Sequence, residues 1–403
     1  MSSVAAWVLA SVVAAGVGGV LAEFLARWWL RHRQVYYVWA PRHRKIVRPD
    51  REAFPAAEAV AHFEVNSVGQ RGDEPPGPDE AAYRILVAGG STAECMFLDQ
   101  WTSWPGALER LLDRPEPRKH LGVSRVHVGN IGRSDIDSQG LDVALRRILP
   151  GCPRLDAIII LVGASNVLRW LAAGAPEGMP APPLPELEIF DWQPNGPFSF
   201  HPKRTASAEL ARRLRLRLRP TEQRPRAGKY MIGARAMRQQ AMPLRNTVPD
   251  PLPMLDAYEA ALRSALRTAM RHADRVIVAR QPWLDKPRYT AEEQAQFWHG
   301  ALGNLFAGGE IKEFASSELI AQLMSQIDRR AVTVAEELGL EHINLREALE
   351  PSLCNYYDQF HFTPTGAAKV AEAVAAVVLR GASQPRSEAS SAFEYASHDV
   401  RSG

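Results

Sequence analysis

Three residue types set far apart in this chain could together cleave an acyl bond. Ser91 lies in Ile85-Leu-Val-Ala-Gly-Gly-Ser-Thr-Ala-Glu94, an apolar run followed by two glycines and a hydroxyl. That order predicts a buried strand feeding a tight turn, with Ser91 at the strand's carboxyl end, where open α/β sheets bind ligands. A serine hydroxyl is a weak nucleophile at neutral pH. It needs a base within hydrogen-bond reach, and the base needs an orienting acid. Tyr356-Tyr-Asp-Gln-Phe-His-Phe-Thr-Pro-Thr-Gly366 offers both: Asp358 and His361 stand three apart, just before a helix start at Thr363-Pro364. A tetrahedral oxyanion also needs preorganised donors. Candidates are the backbone of Asn130-Ile-Gly-Arg-Ser-Asp135 and the side-chain amide of Asn166 in Leu161-Val-Gly-Ala-Ser-Asn166.

This set resembles the SGNH (GDSL-like) hydrolase superfamily. Gly89-Gly-Ser-Thr is similar to its Gly-Asp-Ser-(Leu/Ile) block, with Gly90 in place of the usual aspartate. Asn130 to Asp135 resembles the second block, Gly163-Ala-Ser-Asn166 the third (Gly-x-x-Asn), and Asp358-Gln-Phe-His361 the last (Asp-x-x-His). Any one is weak; four in order are strong, and together they span roughly residues 84–172 and 275–380. The resemblance implies a three-layer α/β/α sandwich around a central parallel sheet. It implies Ser91 as nucleophile, His361 as general base and then acid, and Asp358 as the group that orients the imidazole. The implied oxyanion hole is the Ser91 N–H, a second-block N–H and the Asn166 amide. Counting from Asn130, the family's oxyanion glycine falls on Asp135, whose carboxylate would repel a developing oxyanion unless turned away. Gly132 is the alternative donor, and a third reading has no effective second donor. Bacterial membrane-anchored members of the superfamily also carry segments like Asn66-Ser-Val-Gly-Gln-Arg-Gly72 and Gln281-Pro-Trp-Leu-Asp285, the latter followed by a helix over Thr290 to Trp298.

Blander roles compete at several positions. Ser91 could simply cap the next helix. Asn166 could cap its own helix, and Asn130 is expected to hold its loop. Ser103, Ser134, Ser138 and Ser165 lack the strand–Gly-Gly context and are expected to be structural. His201, His299 and His342 have no partner spacing, so a surface or core role is expected. Gly89-Gly90 is not a phosphate-binding loop, because no Gly-Lys-(Ser/Thr) follows.

The elements that must position these groups alternate. Strands are expected near Ile85, over Arg125–Asn130, over Asp156–Val162, over Arg275–Arg280 and over Glu341–Leu345. Helices are expected over Thr92–Leu112, Gln139–Leu149, Met254–His272, Glu318–Leu338 and Thr363–Leu379. Such alternation predicts a parallel sheet, and the unbroken apolar run at 156–162 predicts a strand buried on both faces. The rhythm breaks between Gly174 and Pro253, a proline-rich and then basic stretch taken as an insertion that sets specificity. Its run from Arg212 to Arg219 is expected to be a solvated face or loop, with anionic headgroups as a second reading. The tail over 382–403 is polar and expected to be disordered.

The N-terminus carries the other strong signal. Val4 to Ala22 has no charge and is just long enough to cross hydrocarbon. Trp28, Trp29, Tyr36, Tyr37 and Trp39 follow, interleaved with Arg27, Arg31, Arg33, Arg42, Arg44 and Lys45. Aromatics plus cations suit a membrane interface. A single-pass anchor over residues 1–30 is favoured over a cleaved signal peptide, which should begin with a basic region, and over a buried soluble helix. Residues 31–78 would be a juxtamembrane and lead-in segment and 79–381 the hydrolase-like domain. The flanking cations favour a cytoplasmic domain, whereas many members of the resembled subset act outside the cytoplasm on cell-envelope glycans or lipids; the two indications disagree about the side. Among 403 residues the net charge is +3, so nothing global demands nucleic acid, and three scattered cysteines form neither a metal nor a disulfide framework.

The leading expectation is therefore a membrane-anchored serine esterase or deacylase. It would need no cofactor or metal and would act on an acylated small molecule, glycan or lipid. An acyltransferase using the same site is the second reading. A decayed site kept as an anchored binding module is the third.

Overall fold

The computed structural model of the chain describes all residues except 1–2, 197, 200, 202–203, 223–226, 242, 306–310 and 383–403. The expected tail lies outside the described residues from 383 onward.

The chain opens with helix α1 (Ser3–Arg33), then β1 (Arg44–Val47) and β2 (Ala61–Glu64). The main sheet and its helices begin at β3 (Ala82–Gly89), followed by the short α2 (Ser91–Glu94), α3 (Trp104–Leu112), α4 (Pro115–Leu121) and β4 (Arg125–Asn130). They continue through α5 (Ser138–Ile148), β5 (Leu155–Leu161) and α6 (Ala164–Ala172). The expected insertion contains α7 (Glu186–Ile189), α8 (Ala206–Leu218), β6 (Thr221–Glu222) and α9 (Lys229–Gln240). The core resumes with α10 (Leu252–Met270), β7 (Ala273–Arg280), α11 (Ala291–Gln296) and α12 (Ser317–Glu337). It closes with β8 (Glu341–Asn344), α13 (Leu345–Ala348) and α14 (Pro364–Ala382).

Five strands form one parallel sheet in the order β4-β3-β5-β7-β8. Numbered within the sheet, that is 2-1-3-4-5, whose strand order reverses beside its first strand. β3 and β5 occupy the middle because their residues tolerate burial on both faces. Ile158, Ile159 and Ile160 are fully buried, each contributing about 1.5–3 kcal/mol. Helices α5, α6, α10 and α12 cover one face, and α3, α4 and α14 the other. The fold is the expected three-layer α/β/α sandwich with a central parallel sheet.

Two expectations change. The helix expected over Thr92–Leu112 is two helices. α2 stops after one turn at Cys95, which adopts left-handed backbone with φ 52°. α3 begins afresh where Ser103 accepts the Gly106 N–H and Pro105 stands at a first-turn position. The break lets the chain double back behind Ser91. The 31–78 segment is also more than a lead-in: Tyr36, Val38, Trp39, Phe63 and Val65 join the main core. Its β1 pairs antiparallel with β2 and parallel with β6, making a second, three-stranded sheet. The basic run at Arg212–Arg219 is helical over most of its length, and Arg213 is buried with its guanidinium 3.6 Å from the Trp192 ring centroid.

Candidate active site

Ser91 begins α2 at the carboxyl end of β3, beside the point where strand order reverses. The approach is possible because residue 89 lacks a side chain: a Cβ there would lie 1.9 Å from the Leu161 carbonyl oxygen. At Gly90, where the resembled family has aspartate, a Cβ would meet the Ser165 hydroxyl at 3.3 Å and the Ile136 carbonyl at 3.4 Å. A side chain at residue 90 would make both groups give by a few tenths of an ångström.

The segment from Tyr356 to Phe362 carries His361 to the same edge. Its Nε2 lies 2.7 Å from the Ser91 Oγ, and its Nδ1 lies 2.8 Å from the Asp358 Oδ2. A carboxylate only accepts, so Nδ1 carries the proton and Nε2 presents its lone pair to the Ser91 hydroxyl. Asp358 is fully buried. Its Oδ1 accepts the backbone N–H groups of Phe360 and His361 at 2.8 and 2.9 Å, and its Oδ2 also accepts the Trp298 Nε1–H at 2.9 Å. Burial alone would push this carboxyl up. The His361 charge, with the His361 side-chain and backbone hydrogen bonds, outweighs it and holds Asp358 well below the usual carboxylate range. For His361, burial pulls the imidazole down, but Asp358, Glu94 and Asp135 together raise it above its ordinary value.

Two rings pack near the imidazole. Tyr357 stacks on it with centroids 5.4 Å apart and planes 7° apart, and His299 lies 5.7 Å away on a tilted ring. Burial lowers His299 to about 3, so it stays neutral at neutral pH. His299 is buried, as a core histidine would be, yet it lines the site. His299, Asp358 and His361 bring three ligand-type atoms within 4.8 Å of one another. A cation there would have to displace the Asp358–His361 hydrogen bond, so this cluster fits the relay better than a metal.

On the oxyanion side, Asp135 takes left-handed backbone with φ 64°, which aspartate tolerates better than most residues. Its N–H has no acceptor among the described residues. The Ser91 N–H opens a helix and has no acceptor within it. Gly132, the alternative donor, is already engaged: its N–H donates to the Asn130 Oδ1 at 2.7 Å, so Asn130 holds this loop. The Asn130 amide also donates to the Ala93 carbonyl at 2.8 Å. Asn166 is buried. Its Oδ1 accepts the Ser138 N–H at 3.1 Å and its Nδ2 donates to the Ser138 Oγ at 2.9 Å, leaving one amide proton uncommitted. The Asp135 side chain is exposed to the cleft, whose walls raise its carboxyl against the opposing pull of Arg169, His361 and Arg133.

The cleft at Ser91 has a volume of about 680 Å³. Pro182, Glu188, Gly228, Tyr230 and Met231 reach it from the stretch 174–253 that the sequence marks off as proline-rich and basic. Trp298 and Glu94 had no sequence signal of their own, because each matters through a partner distant in the chain; Tyr357 lies four residues from His361, but its stacking depends on how that loop turns.

No family model matches this chain, and no curated protein matches it. Solved structures similar to it include an acetylxylan esterase from Geobacillus stearothermophilus, at 15% identity and a TM-score of 0.39, covering 76% of this chain and 95% of that one. Another is an alpha/beta hydrolase enzyme from the metagenome of Lake Arreo, Spain, at 11% identity and a TM-score of 0.39, covering 76% and 97%. Likeness at that level says nothing about the substrate of this chain.

Proposed function

We propose that this protein is a serine ester hydrolase of the SGNH type, anchored in a membrane by α1. The observation that carries the reading is the unbroken hydrogen-bonded line from the Ser91 Oγ through His361 to Asp358, with an unbonded Asp135 N–H beside it. In this reading the Ser91 oxygen attacks an ester carbonyl while His361 Nε2 takes its proton. The oxyanion forms against the N–H groups of Ser91 and Asp135, with the remaining Asn166 amide proton as third donor. Collapse expels the alcohol, which takes the proton back from His361. Water, deprotonated by the same nitrogen, then attacks the acyl-enzyme and frees the carboxylic acid. No metal or cofactor is needed for any step. The substrate class is an acylated small molecule, glycan or lipid.

A fluorophosphonate probe and a p-nitrophenyl ester test the assignment. Wild-type protein should label at Ser91, and Ser91→Ala and His361→Ala should each lower ester turnover by about 10³-fold or more. Equal labelling of wild type and Ser91→Ala would sink the proposal.

A further inference from the structure

We propose that Glu94 is a positioning residue that registers the Asp135 N–H against the Ser91 oxygen, an inference that rests on the hydrolase reading above. An amide donor helps an oxyanion only if the backbone behind it is fixed before reaction. Here that backbone is a left-handed turn at a residue with a side chain, a conformation held by its surroundings rather than by itself. Next to it, the Glu94 Oε2 accepts both the Ser134 N–H at 2.5 Å and the Ser134 hydroxyl at 2.6 Å. The next backbone tie, Ile136 N–H to the Arg133 carbonyl, is long at 3.3 Å.

Glu94 is 1% exposed and ends the same four-residue helix that Ser91 begins. One side chain therefore joins the nucleophile's helix to the loop bearing the donor. Glu94 is itself anchored from behind. The buried Arg71 guanidinium donates to the carbonyls of Glu94 at 2.6 Å, Cys95 at 3.0 Å and Leu98 at 2.8 Å. This gives Arg71, from the Asn66–Gly72 segment, a role: it closes α2 after one turn and aims Glu94 across at Ser134. Arg71 also offsets the charge that a carboxylate brings close to an oxyanion.

The test uses the full-length protein in detergent, with Glu94→Met, Ser134→Ala and the double variant, p-nitrophenyl acetate as substrate and thermal midpoints recorded in parallel. Both Ser134 donors meet the same oxygen, Oε2, so methionine, which keeps the length of the side chain, removes both bonds at once. Glu94→Met should lower kcat by about tenfold to a hundredfold with KM within about threefold of wild type, the signature of a transition-state interaction. Ser134→Ala keeps the backbone bond and should lower kcat by about threefold. The double variant should match Glu94→Met alone, because both changes break one contact. Wild-type kcat in Glu94→Met, a loss confined to KM, or effects that multiply in the double variant would each overturn the inference. If Glu94→Met fails to fold, Ser134→Ala decides: a lower kcat at unchanged KM supports the pin and an unchanged kcat overturns it. A wild type that neither labels at Ser91 nor cleaves any ester removes the hydrolase reading itself. A wild type that labels at Ser91 while its variants label equally fast removes only the role of Glu94.

Discussion

His361 can accept the Ser91 proton only while it is neutral. Asp358, Glu94 and Asp135 raise its pKa above the ordinary histidine value against the pull of burial. The charged form therefore persists to higher pH, and kcat/KM should fall as pH drops through that raised value. Asp135→Asn removes one of the raising charges, so a pH–rate profile of this variant should show its acidic limb at lower pH than wild type. An unmoved limb would mean that the Asp135 carboxylate does not act on the imidazole. Trp298 offers a second check at this scale. Its indole N–H is one of four donors on Asp358, and a hydrogen bond to a charged group contributes about 1.5–3 kcal/mol. Trp298→Phe keeps the ring but loses the donor, and ester assays should show kcat/KM reduced by about tenfold or more.

At the scale of elements, β3 and β5 approach so closely at residue 89 that side-chain size decides whether the site forms. Gly89→Ala sets a methyl 1.9 Å from the Leu161 carbonyl and should destabilise by about 3 kcal/mol, seen as a lower thermal midpoint. Gly233 is the counter-example. It sits inside α9 with nothing within 4 Å of where a Cβ would go, so Gly233→Ala should stabilise by about 0.5–1 kcal/mol. A second junction ties α1 to the domain. The Glu23 carboxylate accepts the N–H groups of Ala206 and Ser207 and the Ser207 hydroxyl, and pairs with Arg27 at 2.7 Å. It thus caps the first turn of α8 from another helix. Glu23→Ala should weaken that join by about 1–2 kcal/mol, and limited trypsin digestion should cut faster at the α8 arginines.

For the whole molecule, α1 is apolar and long enough to cross a membrane, and Val4, Trp7, Val8 and Leu9 are all more than half exposed. An exposed apolar surface of that kind marks a membrane or protein interaction site, and the anchor proposed above commits to the membrane. On that proposal, full-length protein should stay with the membrane through alkaline carbonate extraction. Release into the supernatant would count against an anchor. A reporter fused after Gly381 would then show the side of the domain. Because α8 is capped by Glu23, the domain would stand directly on the anchor rather than hang from a loose linker.

The sequence alone determined the alternation of strands and helices, hence the parallel sheet. Periodicity and composition are local properties, and burial on both faces writes a continuous apolar run. It also named Ser91, Asp358 and His361 as a set, since each stands at a strand end or just before a helix start. It did not show that the Gly132 N–H is taken by Asn130, that Trp298 and Tyr357 hold Asp358 and His361, or that Glu94 reaches Ser134. The Trp298–Asp358 and Glu94–Ser134 contacts join residues 60 and 40 apart, which no spacing along the chain encodes, and the local Asn130–Gly132 and Tyr357–His361 contacts depend on how their loops fold at the rim of the sheet. Nor could a basic run announce that Arg213 would be buried against Trp192. Tertiary structure decided those contacts, because a charged or polar group can be buried only where a distant partner replaces water.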